Sequence, residues 1–272
     1  MGKLIIHNIE NNRPVITRNN YTDIRNFMWI QVNSPKSEFG DINKYKWILS
    51  GDLSNIFNPF IVSNSRNEKI QNNCQISNWD VSNVTNMKEM FNSCKEFNQP
   101  LNNWDVSKVT NMSGMFSECQ VFDQPLNNWG NKVSNVTDMR VMFDNCYKFN
   151  QSLNNWDVSK VTNMVYMFFG CKEFNQPLND WNVSNVTNMD GMFYNCIEFN
   201  QNLKSWSSTI KKNKPTTYYM FAGTKIEFDK DKNPLLKKQK TLLQQKQQIN
   251  DDNNDDENNY DENNDDENNE NN

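Results

Sequence analysis

Residues 104–128, WDVSKVTNMSGMFSECQVFDQPLNN, decide the fold, because closely similar stretches recur before and after them. The tryptophan that begins each copy sets the period, and successive tryptophans are 25, 25, 27, 25 and 25 residues apart. These residues are Trp79, Trp104, Trp129, Trp156, Trp181 and Trp206. A fixed period of about 20 to 50 residues is typical of a solenoid, in which stacked neighbours supply the core that no single repeat can build.

Apolar columns within the repeat predict its core. From the second valine to the cysteine, the apolar residues lie at offsets 0, 3, 6, 7 and 10. In one copy they are Val109, Met112, Met115, Phe116 and Cys119. This spacing fits one face of a helix, or a 3₁₀-like turn, better than the alternation of a strand. We therefore expect an α/β repeat solenoid with one short strand and one short helical turn per coil.

Changes in composition divide the chain into four parts. Residues 1–70 do not repeat and are predicted to form an N-terminal cap or a small leading domain. Residues 71–228 hold about five 25-residue repeats and a degenerate C-terminal cap. Residues 229–250 are rich in Lys and Gln and favour a short helix. Residues 251–272 are almost entirely Asn, Asp and Glu, so we expect them to be disordered.

The third repeat carries a two-residue insertion beside a glycine, because Gly130, Asn131 and Lys132 stand between Trp129 and Val133 where other repeats have a single residue. An insertion at such a position is expected to bulge outward and to leave the register of the core intact.

The net charge of −5 hides a positively charged body. Residues 251–272 contain 11 acidic and no basic residues, which leaves 28 basic residues against 33 − 11 = 22 acidic ones, a charge of +6. This excess is too small over so long a chain to predict nucleic acid as a partner.

Five cysteines occupy one column: Cys94, Cys119, Cys146, Cys171 and Cys196. A buried structural ladder is the preferred interpretation, because stacked repeats place equivalent residues in a row and a thiol packs as a small apolar group. Disulfides and a metal site are the alternatives. The chain has no CxxC pair, and its one histidine, His7, lies outside the repeats, so we predict neither a metal nor a cofactor.

Catalytic motifs are missing from the sequence: there is no glycine-rich phosphate loop, no nucleophile elbow and no HExxH. Asp80, Asp105 and Asp157 form a recurrent acidic column, but Gly130 and Asn182 interrupt it. Capping of turns by short polar side chains explains both Asp and Asn there. We predict that the protein is not an enzyme.

Positions that vary among otherwise faithful copies are the candidates for a binding surface, because the core does not dictate them. Aromatic or apolar residues occupy five of these positions: Tyr147, Tyr166, Phe169, Tyr194 and Ile197. Exposed aromatic side chains often anchor protein interfaces. The alternative is that these residues only pack against the insertion or the C-terminal cap.

The run from Met90 through Met112, with the pattern MFxxCxxFxQPLxxWDVSxVTNM, resembles the BspA-type repeat family. That family occurs in surface lipoproteins of bacteria and mycoplasmas, in protists and in large DNA viruses. The resemblance covers roughly residues 76–224 and implies a leucine-rich-repeat-like solenoid with a role in protein contact or adhesion.

The N-terminus lacks a secretory h-region, Ile6 breaks the myristoylation pattern, and no window is apolar enough for a membrane span. We therefore expect an intracellular protein, or one in a virion or host cytoplasm if the source is viral. The preferred function is a non-enzymatic scaffold for an unidentified protein partner, of undetermined oligomeric state. The alternative is a surface-displayed, adhesin-like protein exported or carried on a virion by another route.

Overall fold

The computed structural model describes residues 3–8, 14–18, 45–57 and 76–236. The chain divides into two compact units, Met1–Pro234 and Leu235–Asn272, and the first unit contains the repeats. Beyond residue 236, the predicted helix over 229–250 and the predicted disordered tail over 251–272 lie outside the described residues. The predicted repeat boundary at residue 228 falls inside the first unit, where Leu203 and Lys204 donate hydrogen bonds to the carbonyls of Lys232 and Asn233.

A four-stranded sheet in the order β2-β1-β3-β4 leads into the repeats. Its strands are β1 (Lys3–Asn8), β2 (Pro14–Arg18), β3 (Tyr45–Asp52) and β4 (Asp80–Asn86). β1 pairs antiparallel with β2 and β3, whereas β3 pairs parallel with β4, which belongs to the first repeat. Trp47 and Leu49, two residues apart in β3, are buried on the same face. The described part of residues 1–70 is therefore hydrogen-bonded directly to the repeats.

Residues 53–57, Leu-Ser-Asn-Ile-Phe, form an additional coil that the sequence analysis missed. The backbone amides of residues 53, 55 and 57 donate to the carbonyls of residues 86, 88 and 90 at 3.0, 2.8 and 3.0 Å. Leu53, Ile56 and Phe57 are fully buried, in the places that two methionines and a phenylalanine take in later repeats. The repeat bonding pattern therefore begins before the first recognisable copy of the motif.

After β4, successive repeats are joined by single parallel bridges rather than by the short strand expected in each coil. The bridged residues are Asn86, Asn111, Asp138, Asn163, Asn188 and Thr216. The extended backbone ends there because the next residue, for example Met112, begins a turn that closes with a 3.2 Å bond from the Met115 amide. A 3₁₀-like turn of this kind was the expected partner of the strand.

Aromatic rings stack through the core from repeat to repeat. One row runs through Phe57, Phe91, Phe116, Phe143, Phe168, Phe193 and Phe221, with centroid separations of 5.2, 5.8, 5.5, 5.6, 5.5 and 5.6 Å. A second row of stacked rings begins at Phe97 and ends at Phe199. It packs against the first row; the ring centroids of Phe149 and Phe143, for example, are 4.2 Å apart. The tryptophan and methionine columns are buried as well, which confirms that they belong to the core.

Polar side chains satisfy the backbone between repeats in the same periodic way. The indole of Trp129 donates to the carbonyl of Leu101 at 3.0 Å, and Trp156 repeats this contact on Leu126. In the acidic column, Asp105 accepts the Ser107 amide at 3.2 Å, and the equivalent residues in three other repeats do the same. The prediction that this column caps turns is confirmed.

The insertion forms part of a 3₁₀ helix, Asn127–Val133, in which Gly130 has φ of 21°. Trp129 and Val133, on either side of the inserted residues, are fully buried, while Asn131 is exposed. The predicted outward bulge with an intact core register is therefore confirmed.

The last repeat contains a short helix, α1 (Ser207–Asn213), which buries Ile210. It ends at Lys214, whose left-handed backbone lets its amide bond to the Ile210 carbonyl, and Pro215 follows. Two further 3₁₀ turns, Ile76–Asn78 and Lys204–Trp206, complete the helical segments of the described residues. No helix in this part of the chain has both the length and the apolar character to cross a membrane.

Candidate functional site

Two consecutive tight turns in each repeat bring the variable side chains to the surface. In the fourth repeat the Met167 amide donates a hydrogen bond to the Met164 carbonyl, and the Cys171 amide donates one to the Phe168 carbonyl. The third residue of each turn, Tyr166 or Gly170, has a positive φ of 53° or 66°. This geometry is that of a type II turn, and it keeps the methionines and Phe168 in the core.

Four aromatic side chains meet on this surface, and we call them the aromatic surface: Tyr166, Phe169, Tyr194 and Tyr219. Phe169 stacks on Tyr194 with 5.1 Å between ring centroids and 4° between planes. Tyr166 meets Phe169 edge to face at 5.4 Å, and Tyr219 meets Tyr194 in the same way at 6.4 Å. Tyr166 is 42% exposed and Tyr219 73% exposed, so large parts of both rings face solvent.

A glycine in the next repeat makes room for the Tyr166 ring. A Cβ atom built on Gly191 would lie 2.2 Å from Cε1 of Tyr166, far inside van der Waals contact. Gly191 also has φ of 57°, a conformation that glycine adopts without strain. Gly191 therefore fixes where the Tyr166 ring lies.

The structure brings together three of the five predicted binding residues and separates the other two. Tyr166, Phe169 and Tyr194 share ring contacts. Tyr147 lies in another column, where Lys172 Nζ sits 4.5 Å from its ring centroid, and Ile197, two repeats later in that column, is 51% exposed. The alternative of packing against the C-terminal cap holds in part, because Tyr194 contacts Tyr219 of the last repeat.

Sequence reasoning missed three strongly exposed aromatic residues near the C-terminal end: Tyr218, Tyr219 and Phe228, which are 71%, 73% and 84% exposed. The last repeat is degenerate, and its register is carried by Met220 and Phe221 alone. Aligning that pair with earlier Met-Phe pairs puts Tyr219 in the column of Tyr166, and this signal could have identified it.

Asp144 occupies the same column as Phe169 and Tyr194, one repeat before Phe169. The Ser117 hydroxyl donates to Asp144 Oδ2 at 3.1 Å, and the Asn145 amide group donates to Oδ1 at 3.2 Å. Partial burial raises the pKa of the Asp144 carboxyl from 3.8 to about 6; the charge of Glu118 adds to this shift and the Ser117 hydrogen bond opposes it. The repeat next to Phe169 therefore carries a carboxyl group that is protonated more easily than an ordinary aspartate.

We expect Asp144 to make the protein less stable as the pH rises from 4 to 7. The pKa of its carboxyl is higher in the folded than in the unfolded protein, so folding favours the protonated form. The stability that this preference contributes is fully present below pH 3.8 and is lost as the pH passes 6. After allowance for solvent screening, the loss is about 1–2 kcal/mol. Urea unfolding at several pH values should show this loss in the wild type and not in Asp144→Asn. Parallel pH profiles for the two proteins would contradict the assignment.

The five column cysteines are buried and free of disulfides. Each thiol donates to the carbonyl of the core phenylalanine one repeat earlier, as Cys146 Sγ does to Phe116 at 2.9 Å. Burial raises the pKa of all five thiols, which keeps them protonated at neutral pH. Among the described residues, no group of three or more His, Cys, Asp or Glu side chains is placed to hold a metal ion.

Comparison with known proteins gives a family. No curated protein and no solved structure matches the chain. A family described as "Mycoplasma protein of unknown function, DUF285" matches residues 36–133 and 130–233, which span the additional coil at 53–57 and all the repeats. At this coarse level the match agrees with the mycoplasmal relatives that the repeat resemblance implies. The chain belongs to this family of mycoplasma proteins, DUF285.

Proposed function

We propose that the protein is a non-enzymatic scaffold, a leucine-rich-repeat-like solenoid of the BspA type, that binds a protein partner through the aromatic surface. One observation carries the proposal: four aromatic side chains gather at positions that the core does not dictate. Other repeats have Asn92 or Ser117 in the column of Phe169 and Tyr194, and Glu89 in the column of Tyr166 and Tyr219. Tyr and other rigid aromatic residues dominate the energetics of protein interfaces because they bury much area at low entropic cost.

The remaining side chains support a binding role rather than catalysis. The cysteine thiols are buried and protonated, so they are poor nucleophiles, and we propose that their role is to bond the phenylalanine carbonyls between repeats. At the last repeat Thr224 replaces the cysteine, and its hydroxyl donates to the Phe221 carbonyl of its own repeat at 2.7 Å.

The test is an affinity capture with the full chain as bait, followed by direct titration of the captured protein. We expect Phe169→Lys combined with Tyr194→Lys to weaken binding by about 30-fold or more, the effect of losing a central aromatic anchor. The control is Phe228→Lys, which places one such charge on a residue outside the aromatic surface whose ring is 84% exposed. Thermal unfolding of all three proteins shows whether the variants remain folded.

A partner that binds the wild type and the double variant with equal affinity would contradict the proposed surface. Equal loss of binding in Phe228→Lys would mean that added charge, rather than the aromatic surface, decides the result.

A further inference from the structure

In one stretch of each repeat, the backbone hydrogen bonds to the following repeat all run the same way, from amide to carbonyl. In each repeat four alternate amides donate to four alternate carbonyls of the following repeat. For the second and third repeats these donors are Met112, Gly114, Phe116 and Glu118, and the acceptors are Asp138, Arg140, Met142 and Asp144. The four distances are 3.1, 2.9, 2.9 and 2.7 Å, and the pattern recurs at every later junction. Along this stretch of each repeat, the amides that face the following repeat are donors, whereas on either side of it carbonyls such as those of Thr110 and Gln120 accept from the following repeat.

The last repeat has no following repeat to supply these acceptors. Its equivalent amides belong to Thr217, Tyr219, Phe221 and Gly223, and we call the first three the terminal donor edge. No acceptor for these three amides is found among the described residues. The fourth amide, that of Gly223, donates to the Glu227 carboxylate at 2.9 Å. A carboxylate therefore already takes the place of the missing carbonyl at one of the four positions.

A second carboxylate, from the preceding repeat, bonds to another backbone amide of the last repeat. The Tyr218 amide, whose counterparts in other repeats bond to a side-chain oxygen of their own repeat, donates to Asp190 Oδ1 at 2.7 Å. Two backbone amides of the last repeat, those of Tyr218 and Gly223, thus bond to carboxylates. The alternate amides that point the same way also create a local positive potential that favours anions.

Side chains of the last repeat favour the same chemistry. Lys211, Lys212 and Lys214 are exposed, and none of them forms an ion pair within the described ranges. Tyr218 and Tyr219 are more than two-thirds exposed, and their hydroxyls are further donors. The last repeat thus carries amide donors, exposed positive charge and exposed aromatic rings.

We propose that the terminal donor edge binds an acidic peptide segment of a partner protein. The segment lies along the turns of the last repeat, in the place that a following repeat would take, and offers carbonyl and carboxylate oxygens to the amides of Thr217, Tyr219 and Phe221. This site uses backbone amides, so it does not require the aromatic surface to be the face that binds a partner.

The test uses two synthetic hexapeptides, one of alternating Glu and Asp and one of Gln and Asn, titrated into the full-length ¹⁵N-labelled protein. We expect the acidic peptide to bind about tenfold more tightly. Its amide shifts should be largest at residues 217, 219 and 221 and small at Gly191 and Phe193, whose amides already have acceptors. Equal affinities, shifts centred elsewhere, or no binding at millimolar peptide would overturn the proposal.

Two glutamate variants test whether the terminal donor edge itself binds the acidic peptide. Glu227→Ala opens the fourth amide and removes a competing charge, so the acidic peptide should bind about threefold or more tightly. Glu173→Ala, which removes the same charge from an exposed residue two repeats away, should change affinity little. No difference between Glu227→Ala and Glu173→Ala would also overturn the proposal.

Discussion

Phe143→Ala should lower the free energy of unfolding by about 3–5 kcal/mol, the cost of a large cavity in a packed core. The Phe143 side chain is fully buried and has ring neighbours on three sides. Its centroid lies 5.5 Å from Phe116, 5.6 Å from Phe168 and 4.2 Å from Phe149. These neighbours belong to three successive repeats, so the ring cannot be replaced by a small shift within one of them.

Urea unfolding followed by tryptophan fluorescence measures this loss. The matched control is Phe228→Ala, which removes the same atoms from a ring that is 84% exposed and should cost less than about 0.5 kcal/mol. Phe221→Ala should fall between the two, because Phe221 ends the stack and has one ring neighbour in it, Phe193. A Phe143→Ala protein as stable as Phe228→Ala would show that the phenylalanine stack is not the core of the repeats.

The buried columns could be predicted from sequence because each repeat faces the same neighbours. Val109, Met112 and Phe116 recur at fixed spacing, and any repeat that broke the pattern would leave a hole against both adjacent repeats. The same reasoning predicted the outward insertion, since the columns resume in register after it. It also named Tyr147, Tyr166, Phe169, Tyr194 and Ile197 as candidate binding residues, and three of these five share ring contacts.

The two ends of the array were harder to predict because their side chains depart from the motif while their backbone follows it. At residues 53–57, Leu and Ile replace the methionines, and a longer spacing separates Phe57 from Phe91. Backbone amides bond to carbonyls whatever the side chains are, so this extra coil has little signature in the sequence. The terminal donor edge could not be predicted from the sequence for the same reason, because it consists of backbone amides.

Asp123→Ala should lower the free energy of unfolding by about 2–4 kcal/mol, because it leaves two donors without an acceptor. Asp123 Oδ1 accepts the backbone amide of Asn150 and the side-chain amide of Gln151, each at 2.9 Å. The same pair of bonds recurs one repeat later on Asn150, with Asn175 and Gln176 as donors. Each acceptor thus connects its own repeat to the next.

The natural control is Asp123→Asn, because asparagine occupies this column in the other repeats, as Asn98, Asn150, Asn175 and Asn200. Its carbonyl oxygen can accept the same two bonds, so we expect a change of less than about 1 kcal/mol from the loss of charge. Urea unfolding of both variants separates acceptor loss from charge loss. If Asp123→Asn is as damaging as Asp123→Ala, the carboxylate acts through its charge. If both are neutral, the repeats are held together by ring stacking and backbone bonds, and the asparagine column is an accessory to them.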